Sequence, residues 1–295
     1  MPTEDRGLSE RENESRPTDG VPAGLWAKCQ KCGEMLYQRE LEEDLYVCRH
    51  CGYHRRLSAR ERIAITADSG SFHERDRNLR SSDPLHFPGY PEKLADYAGR
   101  TGLSDPLVWG ECTIEGMPAV LVVVDFNFQG GSMGAALGEK FVRAAEHAAE
   151  QRCPLVAFLC SGGARMQEGI VSLLQMAKTA AAVARLRQAH IPYLTVGTDP
   201  LTAGVFASFA SLGDVAIAEQ GAIMGFAGPR VIEAAFKIKL PPGSHTAEFQ
   251  HQHGMVDQVV TRRELRPLLV RLLRLLSPRP SGDRTEVPLG EATDE

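Results

Sequence analysis

Two Cys-x2-Cys pairs, Cys29 with Cys32 and Cys48 with Cys51, stand fifteen residues apart. Thiolates on two knuckles at this spacing read as a tetrahedral four-sulfur zinc site. Each knuckle turns the chain so that both of its sulfurs face one point. Gly33 and Gly52 directly follow the second cysteines, where a tight turn favours a residue tolerant of positive φ. With all four ligands supplied by the protein, no position is left for water, so the metal is expected to be structural. A segment this small buries little core alone, and metal binding is expected to supply much of its folding free energy. A second pattern concerns backbone chemistry. Gly130-Gly131, Gly162-Gly163 and Ala203-Gly204 each follow an apolar run, at the point where a strand gives way to a helix or a small-residue segment. Amide groups that open a helix lack intrahelical partners and carry the positive end of its dipole. Small residues let a ligand oxygen approach them closely. Such junctions suit an oxyanion, for example a thioester enolate. The plainer reading of any one pair is a tight turn with close helix–strand packing, but three in one sheet point beyond it.

The elements that would carry these junctions follow from the apolar pattern. Strands are predicted at Met117–Phe128, Pro154–Cys160 and Ile191–Gly197, with helices from the first glycine pair to about Arg152 and from the second to about Ala189. Two short strands (DVAIAE and AIMGF), a short helix near Ala247–Gln252, MVDQVV and a last helix at about Glu264–Leu276 complete the domain. Strand, glycine and helix repeated three times predict an α/β architecture with mostly parallel strands. The last helix shows a broad leucine face, which reads as core or a subunit interface rather than a membrane anchor. The domain organisation expected is a zinc ribbon at 25–56 and an α/β domain at 60–276, between tails at 1–20 and 277–295. Residues 1–20 hold six acidic and three basic side chains and almost nothing to bury, so both tails are expected to be disordered.

Composition limits the functional classes. The 295 residues carry a net charge of −5, a poor match to bulk phosphate-backbone binding. No run approaches the length of a membrane span, the first twenty residues have no apolar core like that of a secretory signal, and seven cysteines do not suggest a secreted disulfide scaffold. A cytoplasmic protein is expected. GGSMG is no dinucleotide fingerprint, and there is no P-loop. Leu159 stands where a GxSxG elbow needs glycine, so Cys160 reads as a small buried hydrophobe rather than a nucleophile. Glu139 and Glu168 read as structural carboxylates before acid–base catalysts. Arg165 opens a helix, where the dipole disfavours a cation, and would pair either with an acidic side chain or with an anionic group of a ligand. No histidine has an evident catalytic partner by spacing. Arg49, Arg55, Arg56, Arg60 and Arg62, with Tyr46 and Tyr53, make nucleic-acid binding a second reading of the ribbon, set against Glu40, Glu42, Glu43 and Asp44 in the same segment.

These residues, taken together, resemble the family of beta subunits of bacterial acetyl-coenzyme A carboxylase carboxyltransferase. The likeness runs through LWAKCQKCGEMLYQRELEEDLYVCRHCGYHRRLSARERI (Leu25–Ile63), GGSMG (Gly130–Gly134), SGGARMQEG (Ser161–Gly169), GFAGPRVIE (Gly225–Glu233), KLPPG (Lys239–Gly243) and GMVDQVV (Gly254–Val260). It implies a crotonase-like ββα superhelix behind an N-terminal zinc ribbon of four cysteines. It implies transfer of a carboxyl group from carboxybiotin, tethered to a biotin carboxyl carrier protein, onto acetyl-CoA to give malonyl-CoA for fatty-acid synthesis. The partners implied are an alpha subunit in an alpha2beta2 heterotetramer, the carrier and biotin carboxylase. This sequence has neither a biotinylated-lysine motif nor an ATP-binding motif, as expected of one subunit. Backbone oxyanion donors are expected at Gly162, Gly163, Ala203 and Gly204. Substrate contacts are expected at Gly130, Gly131, Arg165, Phe206, Gly225 and Gly228.

One stretch departs from the family pattern. The family's TTGGVSASF-like segment is LTAGVFASF here, Leu201–Phe209, so Ala203 replaces a glycine and Phe206 a small hydroxyl residue. Alanine keeps its N–H, but at positive φ it costs on the order of 1 kcal/mol or more. Phe206 would either narrow the pocket or pack inside the domain. An active carboxyltransferase subunit is the leading expectation. Others are a pathway-dedicated or weakened paralogue using another acyl-CoA, a zinc-ribbon nucleic-acid binder with a regulatory role, and a different crotonase-like acyl-CoA enzyme.

Overall fold

Side chains alternate along the central strands as period-two geometry requires. Val120, Val122 and Val124 pack into one buried cluster, while Ala119, Leu121 and Val123 pack into another on the opposite face of the sheet. Leu155, Ala157 and Leu159 against Val156 and Phe158 repeat the pattern one strand over. Both faces are therefore covered, which explains why these strands read as continuous apolar runs. The computed structural model describes residues 25–277. The expected tails lie outside the described residues, apart from residue 277.

The ribbon contains β1 (Trp26–Lys28), β2 (Met35–Tyr37) and α1 (Gln38–Glu43). There follow α2 (Ala59–Thr66), β3 (His73–Arg75), α3 (Tyr90–Thr101), β4 (Leu107–Ile114), β5 (Met117–Val124), α4 (Ala135–Gln151), β6 (Leu155–Ser161) and α5 (Ile170–Gln188). The remaining elements are β7 (Tyr193–Thr202), α6 (Ala203–Phe206), β8 (Val215–Glu219), β9 (Met224–Gly225), α7 (Pro229–Phe236), α8 (Ala247–Gln252), β10 (Gln258–Val260) and α9 (Arg262–Leu276). The main sheet runs β10-β8-β7-β6-β5-β4-β3, with β9 added to the far end of β7. Strands β5, β6, β7, β8 and β10 pair in parallel, and β3–β4–β5 form an antiparallel extension.

Two differences from the sequence reading concern the first strand. The run at Met117–Phe128 leaves the sheet after Val124, because Asp125 turns inward to accept the amides of Ala59 and Asn127. Its partner β4 was not anticipated. The hairpin between them turns on Glu115 and Gly116, both at positive φ (49° and 75°). The glycine at the second position is the local signal for such a two-residue turn, whereas Glu115 stands where Asn or Asp is the usual residue. Helix α9 lays Leu265, Leu268, Leu269 and Leu273 into the second cluster, so its leucine face is core. No helix among the described residues is long and apolar enough to cross a membrane.

Candidate active site

In the ribbon, the Cys29 amide donates to Glu34 O and the Gly33 amide to Cys29 O, while Cys48 donates to Tyr53 O and Gly52 to Cys48 O. The two knuckles are thus built on the same bonding plan, with Gly33 and Gly52 at φ 78° and 67°. The four sulfurs lie within 4.8 Å of one another. Cys29 Sγ is 3.7 Å from Cys51 Sγ, and Cys32 Sγ is 3.8 Å from Cys48 Sγ. Sulfurs about 2.3 Å from a central zinc sit this far apart in a tetrahedron, so the residues present fit the ion. The arginines of the predicted basic stretch are largely committed to the protein. Arg49 pairs with Glu40 and Asp44, Arg56 with Asp199 and Arg62 with buried Glu219. That leaves Arg55 and Arg60 as the exposed cations of the predicted basic stretch without such a partner among the described residues.

The three small-residue junctions line up at the same end of adjacent strands, after β5, β6 and β7, but their amides are not equivalent. At the first, Gly131 donates to Phe128 O, Ser132 to Gln129 O and Met133 to Gly163 O. The amide of Ala135, which opens α4, donates to Glu168 Oε2 at 2.6 Å, and that of Ala136 donates to Ser81 Oγ. The helix dipole here is already answered by a carboxylate of the protein itself. Gly134 is required for that contact, since a Cβ at this position would lie 2.4 Å from Glu168 Oε1. Gly130 and Gly131 shape the turn, both at φ near 60°, and Gly130 O accepts the Gly162 amide at 2.8 Å.

At the second junction the expectation needs correcting. The Gly162 and Gly163 amides, predicted as oxyanion donors, are spent on Gly130 O (2.8 Å) and Ser161 Oγ (3.0 Å). The next amide, that of Ala164, has no acceptor among the described residues. At the third, Leu201 donates to Ile223 O and Thr202 pairs with Gly225, so the next rung of this parallel ladder aims the Ala203 amide at the Gly225 carbonyl. Gly204, next in α6, keeps an amide with no protein acceptor among the described residues. The two turns face each other closely: a Cβ placed on Gly163 would sit 3.1 Å from Ala203 Cβ. Ala164 was missed because alanine carries no side-chain signal. Only the bonding of its neighbours exposes it.

Arg165 and Phe206, expected to touch substrate, are placed otherwise. The Arg165 side chain is fully buried, 3.1 Å from Glu168 Oε1 and 3.4 Å from Asp105 Oδ2, and it also donates to Ser132 O at 2.8 Å. Tyr90 Oη donates to Glu168 Oε1 at 2.6 Å. Burial pushes the Tyr90 hydroxyl up in pKa, and burial likewise raises the Asp105 carboxyl despite Arg165 beside it. Of the two partners open to Arg165 in the sequence, the structure selects the acidic side chains, and the cluster ties the Gly130–Gly134 turn to the Ser161–Gly169 turn. Phe206 is 6% exposed and packs into the core cluster of the α4–α5 face, adding no bulk to the turn. Cys160 is buried, its thiol donating to Val124 O, and burial above all pushes it up to about 12, as expected of a packing residue. Gly225 lies under the His245 ring, and Gly228 precedes α7 with open space where a side chain would project.

The sequence of residues 54–295 matches the model of the carboxyl transferase domain, and residues 26–51 match that of the acetyl-CoA carboxylase zinc finger domain. The chain belongs to the carboxyl transferase family. Within that family, it is 53% identical over 264 residues to the acetyl-coenzyme A carboxylase carboxyl transferase subunit beta of Pelotomaculum thermopropionicum, covering 90% of this chain and 92% of the relative. The corresponding subunit of Thermus thermophilus is 51% identical over 269 residues, covering 89% of this chain and 94% of the relative. Among solved carboxyl transferase folds, a transcarboxylase 12S structure with methylmalonyl-coenzyme A bound superposes with a TM-score of 0.64 at 29% identity. That likeness covers 75% of this chain and 41% of the transcarboxylase chain. A Pseudomonas malonate decarboxylase hetero-tetramer in complex with malonate gives a TM-score of 0.61 at 25% identity, covering 81% of this chain and 92% of the other. The crotonase-like fold with an N-terminal four-cysteine ribbon is therefore the architecture of this chain.

Proposed function

We infer that this chain is the beta half of an acetyl-CoA carboxylase carboxyltransferase. It passes a carboxyl group from carboxybiotin on a separate carrier protein to acetyl-CoA, giving malonyl-CoA for fatty-acid synthesis. The observation that carries this reading is the pair of facing turns after β6 and β7, with the Ala164 and Gly204 amides left open in a chain that also holds a four-thiolate ribbon. The carboxylated carrier supplies the carboxyl group and takes up the proton lost from the acetyl methyl carbon. What this chain must do is hold the thioester oxygen while the methyl carbon loses its proton, bearing the enolate charge until the new C–C bond forms. Fixed amides aimed at developing negative oxygen do this without a protein nucleophile. Zinc bound by Cys29, Cys32, Cys48 and Cys51 would have no open position and would serve the fold.

The partners proposed are an alpha subunit, in an alpha2beta2 assembly, together with the carrier and biotin carboxylase, in the cytoplasm. Support for a partner at this site comes from α5. Ile170, Leu173 and Leu174 share one face at i, i+3 and i+4 and are 64%, 50% and 58% exposed, with Met166 beside them at 79%. This apolar face begins immediately after the Ala164 turn, where a second subunit would close the pocket.

The test is malonyl-CoA formation by this chain mixed with its alpha partner, carboxylated carrier and acetyl-CoA. Turnover is expected, and Gly204→Pro, which removes the open amide in the first turn of α6 and asks the Met176 side chain, 3.2 Å from a Cβ there, to give way, is expected to lower kcat by roughly 10²–10³-fold in the folded, zinc-loaded complex. A folded, zinc-loaded complex without turnover refutes the reading.

A further inference from the structure

The structure assigns to Arg56 a positioning role: this ribbon-exit cation fixes both open-amide turns from outside the site. The assignment rests on the proposed role of the Ala164 and Gly204 amides. Arg56 leaves the ribbon five residues after Cys51 and reaches across to the sheet. Its Nε donates to Asp199 Oδ2 at 3.1 Å, and its guanidinium carbon lies 4.5 Å from the centre of the Phe126 ring. Each contact leads to one turn. The other oxygen of Asp199, Oδ1, accepts the Ile223 amide at 3.1 Å. Ile223 leads into β9, whose Met224 and Gly225 pair with Leu201 and Thr202 directly before Ala203 and Gly204. The Phe126 ring lies 3.8 Å from where a Cβ on Gly130 would stand. Gly130 O accepts the Gly162 amide, two residues before Ala164.

One guanidinium therefore bears on both faces of the gap between the turns. An ion pair whose arginine is this open to solvent contributes little to folding. Its side chains are 40% and 17% exposed. The geometry instead suits a function in which small displacements matter, since amides that must meet a developing oxyanion lose catalytic effect steeply when misplaced. The ribbon thereby acquires a task beyond its own folding: it holds Arg56 between Asp199 in β7 and Phe126 just beyond β5.

The experiment uses the complex of this chain with its alpha partner, carboxylated carrier and acetyl-CoA, and compares Arg56→Gln, Asp199→Asn and the double variant. Each single variant is expected to lower kcat by about tenfold with KM for acetyl-CoA within about twofold of the parent. Zinc content and melting temperature are expected to stay at the parental values, and the double variant to be no worse than Arg56→Gln alone, because Asp199→Asn weakens a contact that Arg56→Gln has already removed. Arg56→Lys keeps the ion pair but loses the flat stacking on Phe126, so it is expected to recover part of the lost kcat. Parental kcat in the folded single variants, a change in KM alone, or multiplying losses in the double variant would overturn the assignment. Gly204→Pro separates the two levels. If it retains parental kcat, the open-amide reading fails. If it is inactive while Arg56→Gln and Asp199→Asn are unimpaired, only the role of Arg56 fails.

Discussion

Ala203 sits at φ 54°, in the left-handed region that the departure from the family's glycine made a point of interest. A Cβ there costs about 1–2 kcal/mol. Restoring glycine removes that strain but adds freedom to the unfolded chain, worth about 0.4–1 kcal/mol in the opposite direction. Ala203→Gly is therefore expected to stay within about 1 kcal/mol of the parent, on the stabilising side, and to keep its turnover. Ala203→Val, β-branched at positive φ and facing the Gly163 turn, is expected to lose about 2 kcal/mol or more, read by urea unfolding. Two effects of the Ala203 and Phe206 departures were separable only in the structure. The alanine bears on backbone strain, whereas Phe206 is packed away from the site.

At the scale of elements, Asp68 joins three of them just beyond α2. It accepts the Thr113 hydroxyl at 2.6 Å on β4 and the Glu115 and Gly116 amides of the hairpin turn, and it pairs with Arg266 of α9 at 2.7 Å. The Thr113 hydroxyl and the Gly116 amide, chiefly, hold its carboxyl down at about 2, against 3.8 for the free group. A depressed carboxyl contributes stability that is present above the unfolded pKa and lost as pH falls through the folded one. The parent is therefore expected to lose this contribution between about pH 4 and pH 2. Asp68→Asn is expected to be less stable at neutral pH and to show a shallower fall across that window, measured by denaturant midpoints at stepped pH. The elements most legible in the sequence were those with long apolar runs, such as β6 and α5. Helix α3, YPEKLADYAGRT, escaped although Tyr90, Leu94, Tyr97 and Ala98 recur at helical spacing, because only Tyr90 is fully buried and charged residues break any continuous apolar run.

At the scale of the molecule, the ribbon and the sheet share a buried charge centre. Glu219, at the end of β8, receives Arg62 from α2 at 2.7 Å and both Nε and Nη2 of Arg262 from α9. Arg262 also donates to the carbonyls of Leu45 and Arg55 in the ribbon, at 3.0 and 2.9 Å. Burial alone would raise the Glu219 carboxyl, but Arg62 and Arg262 outweigh it and hold the group well below the usual carboxylate range. Glu219→Gln leaves two buried cations without their counter-charge and is expected to cost about 3–5 kcal/mol, measured by urea unfolding of the zinc-loaded protein. Arg62 counted in the sequence as part of a basic, surface-like stretch. Its burial could not be read there, because the carboxylate that neutralises it lies more than a hundred and fifty residues away.

The sequence by itself determined the four-cysteine cluster of the ribbon, the three strand-end turns, the α/β class and the family, because each of these rests on local spacing, on short motifs or on a continuous apolar run. It could not decide which amides remain open. Gly162 and Gly163 looked like donors until Gly130 O and Ser161 Oγ claimed them, and Ala164 did not stand out at all. Nor could it choose a partner for Arg165 between ligand and carboxylate. Hydrogen bonds and ion pairs of this kind join residues from distant parts of the chain, so only packing the strands side by side settles which groups are satisfied and which are left open.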